Sequence, residues 1–231
     1  MKKMKKISKI FLVLTMIFSQ LSSVVTVLAD EVVSKPLETS LSVATDEELG
    51  YIKEDDIREK AIKVINMLPD YFFEVPASST GKYHPSFSQG EGGLVRHTKA
   101  AVNIANELLN HNSVIGDAFS LKEKDLMILC LLVHDGLKSG LVKQEYTVFE
   151  HPIIIGKYII DNNDKIGFSD KELEFIDTTI KTHMGEWTKD YNGNEVLERP
   201  HNKYQKFVHM CDFLSSKKFL DIKFDGNEIV K

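Results

Sequence analysis

From Ile52 onward, apolar residues recur at three- and four-residue intervals along most of the chain. In "DDIREKAIKVINML", Ile57, Ala61, Val64 and Leu68 share one helical face, and "LPD" closes the segment. "LVRHTKAAVNIANELL" places Leu94, Ala101, Ile104 and Leu108 on one side of a second helix. "KEKDLMILCLLVHD" is apolar almost all round, the pattern of a helix buried on every face. "HPIIIGKYII" opens with a proline in the first turn, where a helix tolerates it. "SDKELEFIDTTIKTH" begins with Ser169 and Glu172 at capping-box spacing and carries Leu173, Ile176 and Ile180. "KYQKFVHMCDFLSSKKF" is the last long helical segment. No stretch alternates strongly enough to predict a strand, so the expected class is all-α, one helical bundle over residues 52–225. Residues 30–51 show no sustained period and read as a linker or N-terminal arm.

The first 29 residues have a different pattern. Five lysines (2, 3, 5, 6 and 9) precede the apolar run "IFLVLTMIF", and Val27 and Ala29 fit an A-x-A-like cleavage site. This order predicts a signal peptide cut after Ala29, and hence a secreted or cell-surface protein. The competing reading is an uncleaved anchor. A spanning helix needs about 20 predominantly apolar residues, and "SQLSS" interrupts this run early. No stable membrane insertion is therefore expected after cleavage. Removing this segment takes five lysines and no acidic residue, so the net charge falls from -5 to -10. Such an acidic chain is unsuited to duplex nucleic acid, where phosphate contacts dominate binding. Small phosphorylated substrates stay open, because a metal cation can supply local positive charge. Cys130 and Cys211 both sit inside apolar helical patterns. Export permits a disulfide, but two buried free thiols fit the pattern at least as well.

Several polar residues fall where apolar ones are expected. His97 lies three residues after Leu94 and four before Ala101, and His183 lies three after Ile180 and seven after Ile176. His134 follows Leu131 by three and Met127 by seven, with Asp135 next to it and Gly136 breaking the helix. Asp212 follows Val208 by four, and His151 stands at the start of its helix. A single histidine on an apolar face is usually a satisfied core residue. Three such histidines on three helices, with inward carboxylates, are harder to explain that way. An unpaired buried carboxylate costs several kcal/mol or changes protonation state, and a divalent metal removes that cost for the whole set. Helical bundles commonly build metal sites from facing helices.

The ordered set His97, His134-Asp135, His151, His183, Asp212 resembles the HD-domain superfamily of metal-dependent phosphohydrolases. The resemblance covers roughly Ile52 to Leu220, and "GGLVRHT" is similar to the helix start that carries the family's first histidine. It implies that His97, His134, Asp135 and Asp212 form the basic metal site. His151 and His183 would be the two extra ligands of the dinuclear subclass, with Asp135 giving one oxygen to each of two divalent ions. Members with an H-D-G-Y-P signature carry a paired histidine and then G-Y-P. Here Met184 and "GEWTKDYNGN" follow His183, which speaks against a third metal and a cyclic dinucleotide substrate.

The activity implied is hydrolysis of a phosphomonoester or phosphodiester bond, of a nucleotide or short oligonucleotide, with a hydroxide shared by the ions as nucleophile. Asp135 and Lys138 are the expected catalytic residues, Lys138 standing where many relatives read H-D-x-x-K. Lys82 and His84, on the long loop "STGKYHPSFSQGEGG", and Arg96 are candidates for substrate binding. That loop lacks the G-K-[ST] ending of a phosphate loop, which excludes a nucleoside triphosphatase of that kind. Imidazole and carboxylate ligands suit Mn, Zn or Fe better than Mg or Ca, and metal uptake outside the cell favours Mn or Zn over oxidisable Fe(II). His209, three before Asp212, is either a support behind the site or a surface residue. Two alternatives stay open: a di-iron oxygenase of the same superfamily, and a secreted metal- or nucleotide-binding module without turnover. The sequence does not determine the oligomeric state.

Overall fold

The computed structural model describes residues 45–82, 84–220 and 222–230. The expected signal peptide and most of the expected arm lie outside the described residues. The described residues form ten α-helices and one two-stranded sheet. In chain order the helices are α1 (Asp46–Leu49), α2 (Asp55–Asn66), α3 (Tyr71–Glu74), α4 (Gly93–Asn110), α5 (Ser113–Gly116) and α6 (Leu121–Val133). They continue with α7 (His151–Asp161), α8 (Asn163–Ile166), α9 (Asp170–Ile180) and α10 (Lys203–Ser215). The expected all-α class therefore holds for nearly all of the described structure. None of these helices is long and apolar enough to cross a membrane.

The all-round apolar segment becomes α6, in which every residue from Asp125 to Val133 is buried. It packs against α2, α4, α9 and α10, while α4 in turn packs against α3, α5 and α10. Burying one aliphatic side chain is worth about 1.5–3 kcal/mol, so this helix ties the other elements to a shared core. Asp125 is its one buried acid. Its carboxylate accepts the backbone N–H groups of Lys53 (3.0 Å) and Glu54 (2.7 Å), capping the start of α2 from another helix. The Ser169–Glu172 capping box opens α9 as its spacing predicts, and Ser120–Glu123 and Asn202–Gln205 do the same for α6 and α10. Cys130 and Cys211 are buried free thiols.

Two boundaries move outward. At the N-terminal end, α1 is part of the expected arm, yet Glu48 and Leu49 are buried and α1 packs on α2 and α4. Its helical period was hidden because a four-residue helix is too short to show one. At the C-terminal end, β1 (Phe224–Asp225) pairs antiparallel with β2 (Glu228–Ile229) around Gly226, whose φ of +59° suits a tight hairpin turn. Strands of two residues carry no alternation to read, so the pattern gave no strand here. Lys99 on α4 reaches Glu228 at 2.8 Å, and Arg96 reaches Asn227 at 2.8 Å, holding the hairpin to the bundle.

Candidate metal centre

The six candidate ligands come from five helices or their ends. His97 projects from the second turn of α4, and His134 and Asp135 follow the last turn of α6. His151 is the first residue of α7, His183 lies just past α9, and Asp212 sits on α10. His97, His134, His151 and His183 are each 1% exposed or less, and Asp135 is 2% exposed. Gly136 explains how the chain leaves α6 without moving the doublet outward. A Cβ there would lie 2.6 Å from Leu68 Cδ2 and 3.0 Å from the Val133 carbonyl, so only glycine lets the turn pass this close.

Asp135 stands in the middle. Its Oδ1 lies 3.0 Å from His151 Nε2 and 3.6 Å from His183 Nε2. Its Oδ2 lies 3.5 Å from His134 Nε2 and 3.7 Å from His97 Nε2. Asp212 Oδ1 closes the second half at 3.0 Å from His97 Nε2 and 3.5 Å from His134 Nε2. The cluster thus has two halves, one of His97, His134 and Asp212 and one of His151 and His183, with one Asp135 oxygen facing each.

The ring orientations decide what these halves can hold. His134 Nδ1 lies 2.7 Å from the Leu131 carbonyl, His151 Nδ1 2.8 Å from that of Val148, and His183 Nδ1 2.8 Å from that of Ile180. A carbonyl can only accept, so each Nδ1 carries a proton and each ring turns its Nε2 inward. His97 reaches the same state by another route. Ser215 Oγ donates to the Asp212 carbonyl at 2.7 Å, leaving its own oxygen to accept from His97 Nδ1 at 3.0 Å. Four Nε2 atoms and two carboxylates then face one another in a buried interior. Buried His97 Nε2, His134 Nε2 and Asp135 Oδ1 have no hydrogen-bond partner among the described residues. His151 Nε2 and His183 Nε2 approach to 3.2 Å. Only cations or extra protons relieve such an arrangement, and two overlapping groups, His97 with His134 and Asp212, and His134 with Asp135 and His183, have the donor set and spacing to hold a metal ion.

The electrostatics agree. Burial alone would raise the Asp135 carboxyl, yet Lys138, His134, His151 and His183 hold it well below the usual carboxylate range. Against the same burial, His134 and His97 keep Asp212 well below it too. Burial pushes His97 and His151 down. His134 is the exception: burial opposes its proton, but Asp135 and Asp212 outweigh it and lift the imidazole to about 8. Without metal, a proton on His134 partly offsets the two carboxylates.

The other sequence candidates separate. Lys138 is at the centre, its Nζ 2.5 Å from Asp135 Oδ2. His84 packs edge-on against His97, with ring centroids 5.1 Å apart and its Nδ1 buried without a partner among the described residues. Burial and the neighbouring His97 push it down to about 3, so it is neutral. Lys82 is exposed on the same loop. Arg96 is turned away from the cluster and engaged elsewhere. Its guanidinium donates to the carbonyls of Phe87 (2.5 Å), Gln89 (2.9 Å) and Glu91 (2.8 Å) and to Asn227. It shapes the loop and the hairpin, which a helical-wheel position cannot foretell.

Two supports were undecided or unseen in the sequence. His209 donates from Nδ1 to the His183 carbonyl at 2.7 Å, and so braces that candidate ligand from behind. It fits because Gly185, at φ +68°, has no Cβ; one would fall 2.1 Å from His209 Cε1. Ser215, three residues after Asp212, was the unseen one. Removing such an orienting partner typically costs 10–100-fold in metal affinity. Ser215→Ala is expected to weaken metal binding by about that factor with the fold intact, as read by competition with a chromophoric chelator. Unchanged affinity would show that His97 needs no anchor.

In comparisons with known proteins, no family model, curated protein or solved structure matches this chain. What the cluster does is therefore read from its own geometry.

Proposed function

We propose that this chain is an exported metal-dependent phosphohydrolase of the HD-domain kind, acting on a phosphate ester of a nucleotide or short oligonucleotide. The observation that carries this reading is the Asp135 carboxylate, one oxygen turned to each of two imidazole-lined halves. His97, His134 and Asp212 would hold one divalent ion and His151 and His183 the other, with Asp135 shared between them. Mn or Zn suits this mixed imidazole and carboxylate set, and Fe is the third choice. Bound there, a metal pair lowers the pKa of water and polarises a phosphoryl oxygen. Lys138 brings an ammonium to the shared carboxylate and supplies positive charge for a phosphate oxygen. His84 covers one side of His97 and presents a neutral ring at the loop that borders the centre. The buried Nε2 atoms are held facing inward by their Nδ1 hydrogen bonds, which is the preorganisation such catalysis needs.

The test is elemental analysis of the purified protein after Mn or Zn loading, beside hydrolysis of bis-p-nitrophenyl phosphate and a nucleotide panel. About two metal ions per chain together with phosphate-ester cleavage is the expected result. Metal binding without cleavage of any ester overturns the hydrolase. Dioxygen consumption by the iron-loaded protein would then assign an oxygenase, and its absence a binding module.

A further inference from the structure

We propose that Tyr71 is a positioning residue for the His151 half of the metal centre, acting through the 136–150 segment that carries Lys138 and leads into His151. The inference rests on the two-ion reading of that centre and adds to it a control on the second ion.

Tyr71 opens α3 and is buried in the core. A phenylalanine would fill the same space, so what the tyrosine adds is its hydroxyl, and a buried hydroxyl needs a partner. That partner is the carbonyl of Gly140, 69 residues further along the chain, which accepts at 2.6 Å. Gly140 belongs to the segment between the His134-Asp135 doublet and His151. Leu141, Val142 and Tyr146 in the middle of this segment are exposed, so apolar packing does not hold it there. Hydrogen bonds set its course instead.

Those bonds lead to the metal centre. The backbone N–H of Lys138 donates to the Asp135 carbonyl at 3.0 Å and that of Gly140 to the Leu137 carbonyl at 2.8 Å, so the chain after the doublet stays tightly turned. The Lys138 carbonyl accepts the Val148 N–H at 2.9 Å. The carbonyl of Val148 in turn accepts from His151 Nδ1 at 2.8 Å and from the His151 backbone N–H at 3.1 Å. One residue therefore joins Lys138 to His151. Packing closes the same link: Gly140 has a φ of +88°, and a Cβ there would lie 3.3 Å from Val148 Cγ2. Holding Gly140 thus holds Val148, and Val148 aims the ring whose Nε2 lies 3.0 Å from Asp135 Oδ1. The other half is anchored separately, His134 on the Leu131 carbonyl and His97 on Ser215, both outside the 136–150 segment. An effect on one half alone is what separates positioning from general loosening of the core.

The test is a titration of the metal-free full chain with Zn against a chromophoric chelator, which counts the bound ions and ranks their affinities. His151→Ala identifies the ion of the second half as the one it loses. Tyr71→Phe keeps the ring and removes the hydroxyl. It is expected to weaken that same ion about tenfold and to leave the other within about twofold. Gly140→Ala disturbs the link from its other side, setting a Cβ at positive φ against Val148, and should give the same selective loss. Tyr204→Phe is the control. It removes a hydroxyl bonded to Glu123 at the start of α6, away from the doublet, and should lower the melting temperature without changing either ion. Wild-type affinity for both ions in either link variant, or an equal weakening of both, overturns the proposal and leaves Tyr71 a core residue. A wild type that binds fewer than two ions overturns it together with the two-ion reading. If the selective loss is found but bis-p-nitrophenyl phosphate is not cleaved by the wild type, the hydrolase falls and the positioning role stands.

Discussion

Asp135→Asn is expected to reduce phosphate-ester hydrolysis roughly a thousandfold and to lower bound metal below two ions per chain. The amide keeps the shape of the carboxylate but has one oxygen and no charge, while the two halves of the cluster need an anionic oxygen each. The same change bears on stability in the metal-free protein, where Asp135 Oδ2 pairs with Lys138 at 2.5 Å. Removing one partner of a buried pair costs about 3–5 kcal/mol. Lys138 is 15% exposed on its side chain and can turn partly to water, so about 2 kcal/mol is the better expectation here. The double variant Asp135→Asn/Lys138→Met separates the two effects. Its thermal stability should recover, because no unpaired ammonium remains, whereas its metal content and turnover should not. Recovery of activity in that variant, or retained activity in Asp135→Asn, would remove Asp135 from the centre of the mechanism.

Chelation is expected to lower the melting temperature by about 5–10 °C. Metal at about a hundredfold its dissociation constant contributes roughly 2.7 kcal/mol to the folded state, and 1 kcal/mol moves the midpoint by about 2–4 °C in a chain of this size. The size of this shift should depend on pH in a definite direction. In the metal-free protein His134 is raised from 6.5 to about 8, so the stability its proton contributes is full below pH 6.5 and lost as pH rises through 8. Metal takes the deprotonated ring and gains over the proton across the same interval. The gap between loaded and chelated melting curves should therefore widen from pH 6.5 to pH 8, as differential scanning calorimetry would show. A gap that is constant or narrows over that interval would mean that His134 does not ligate.

Much of the fold was legible because burial periodicity is a local property. α6 is apolar all round in the sequence and buried along its length in the structure, and Ser169 and Glu172 form the capping box their spacing predicts. Where the period had too few residues to show itself, as in α1 and the 224–229 hairpin, the sequence was silent. Even for α4 the stripe was read only in part. Leu94 and Ala101 are buried, but Ala105 and Leu109 complete that face, and Ile104 and Leu108 are half-buried at its edge.

The sequence by itself determined which residues lie on inward faces. His97, His134 and His183 sit where apolar residues would be expected, and the structure buries all three. Only the tertiary structure decided that they meet, and in which state. His134 and His183 follow the last turns of their helices and His151 opens α7, and each Nδ1 reaches the carbonyl three residues before it in the chain. His97 stands inside its helix, in the second turn, and its orienting partner is Ser215 on another helix, 118 residues away. The fates of Arg96, drawn into the loop and hairpin, and of His209, braced against Gly185, were settled in the same way. The physical reason is one of range. A helical face follows from neighbours within a turn or two, whereas the partner of a polar atom depends on which distant segment the packing brings within hydrogen-bond reach.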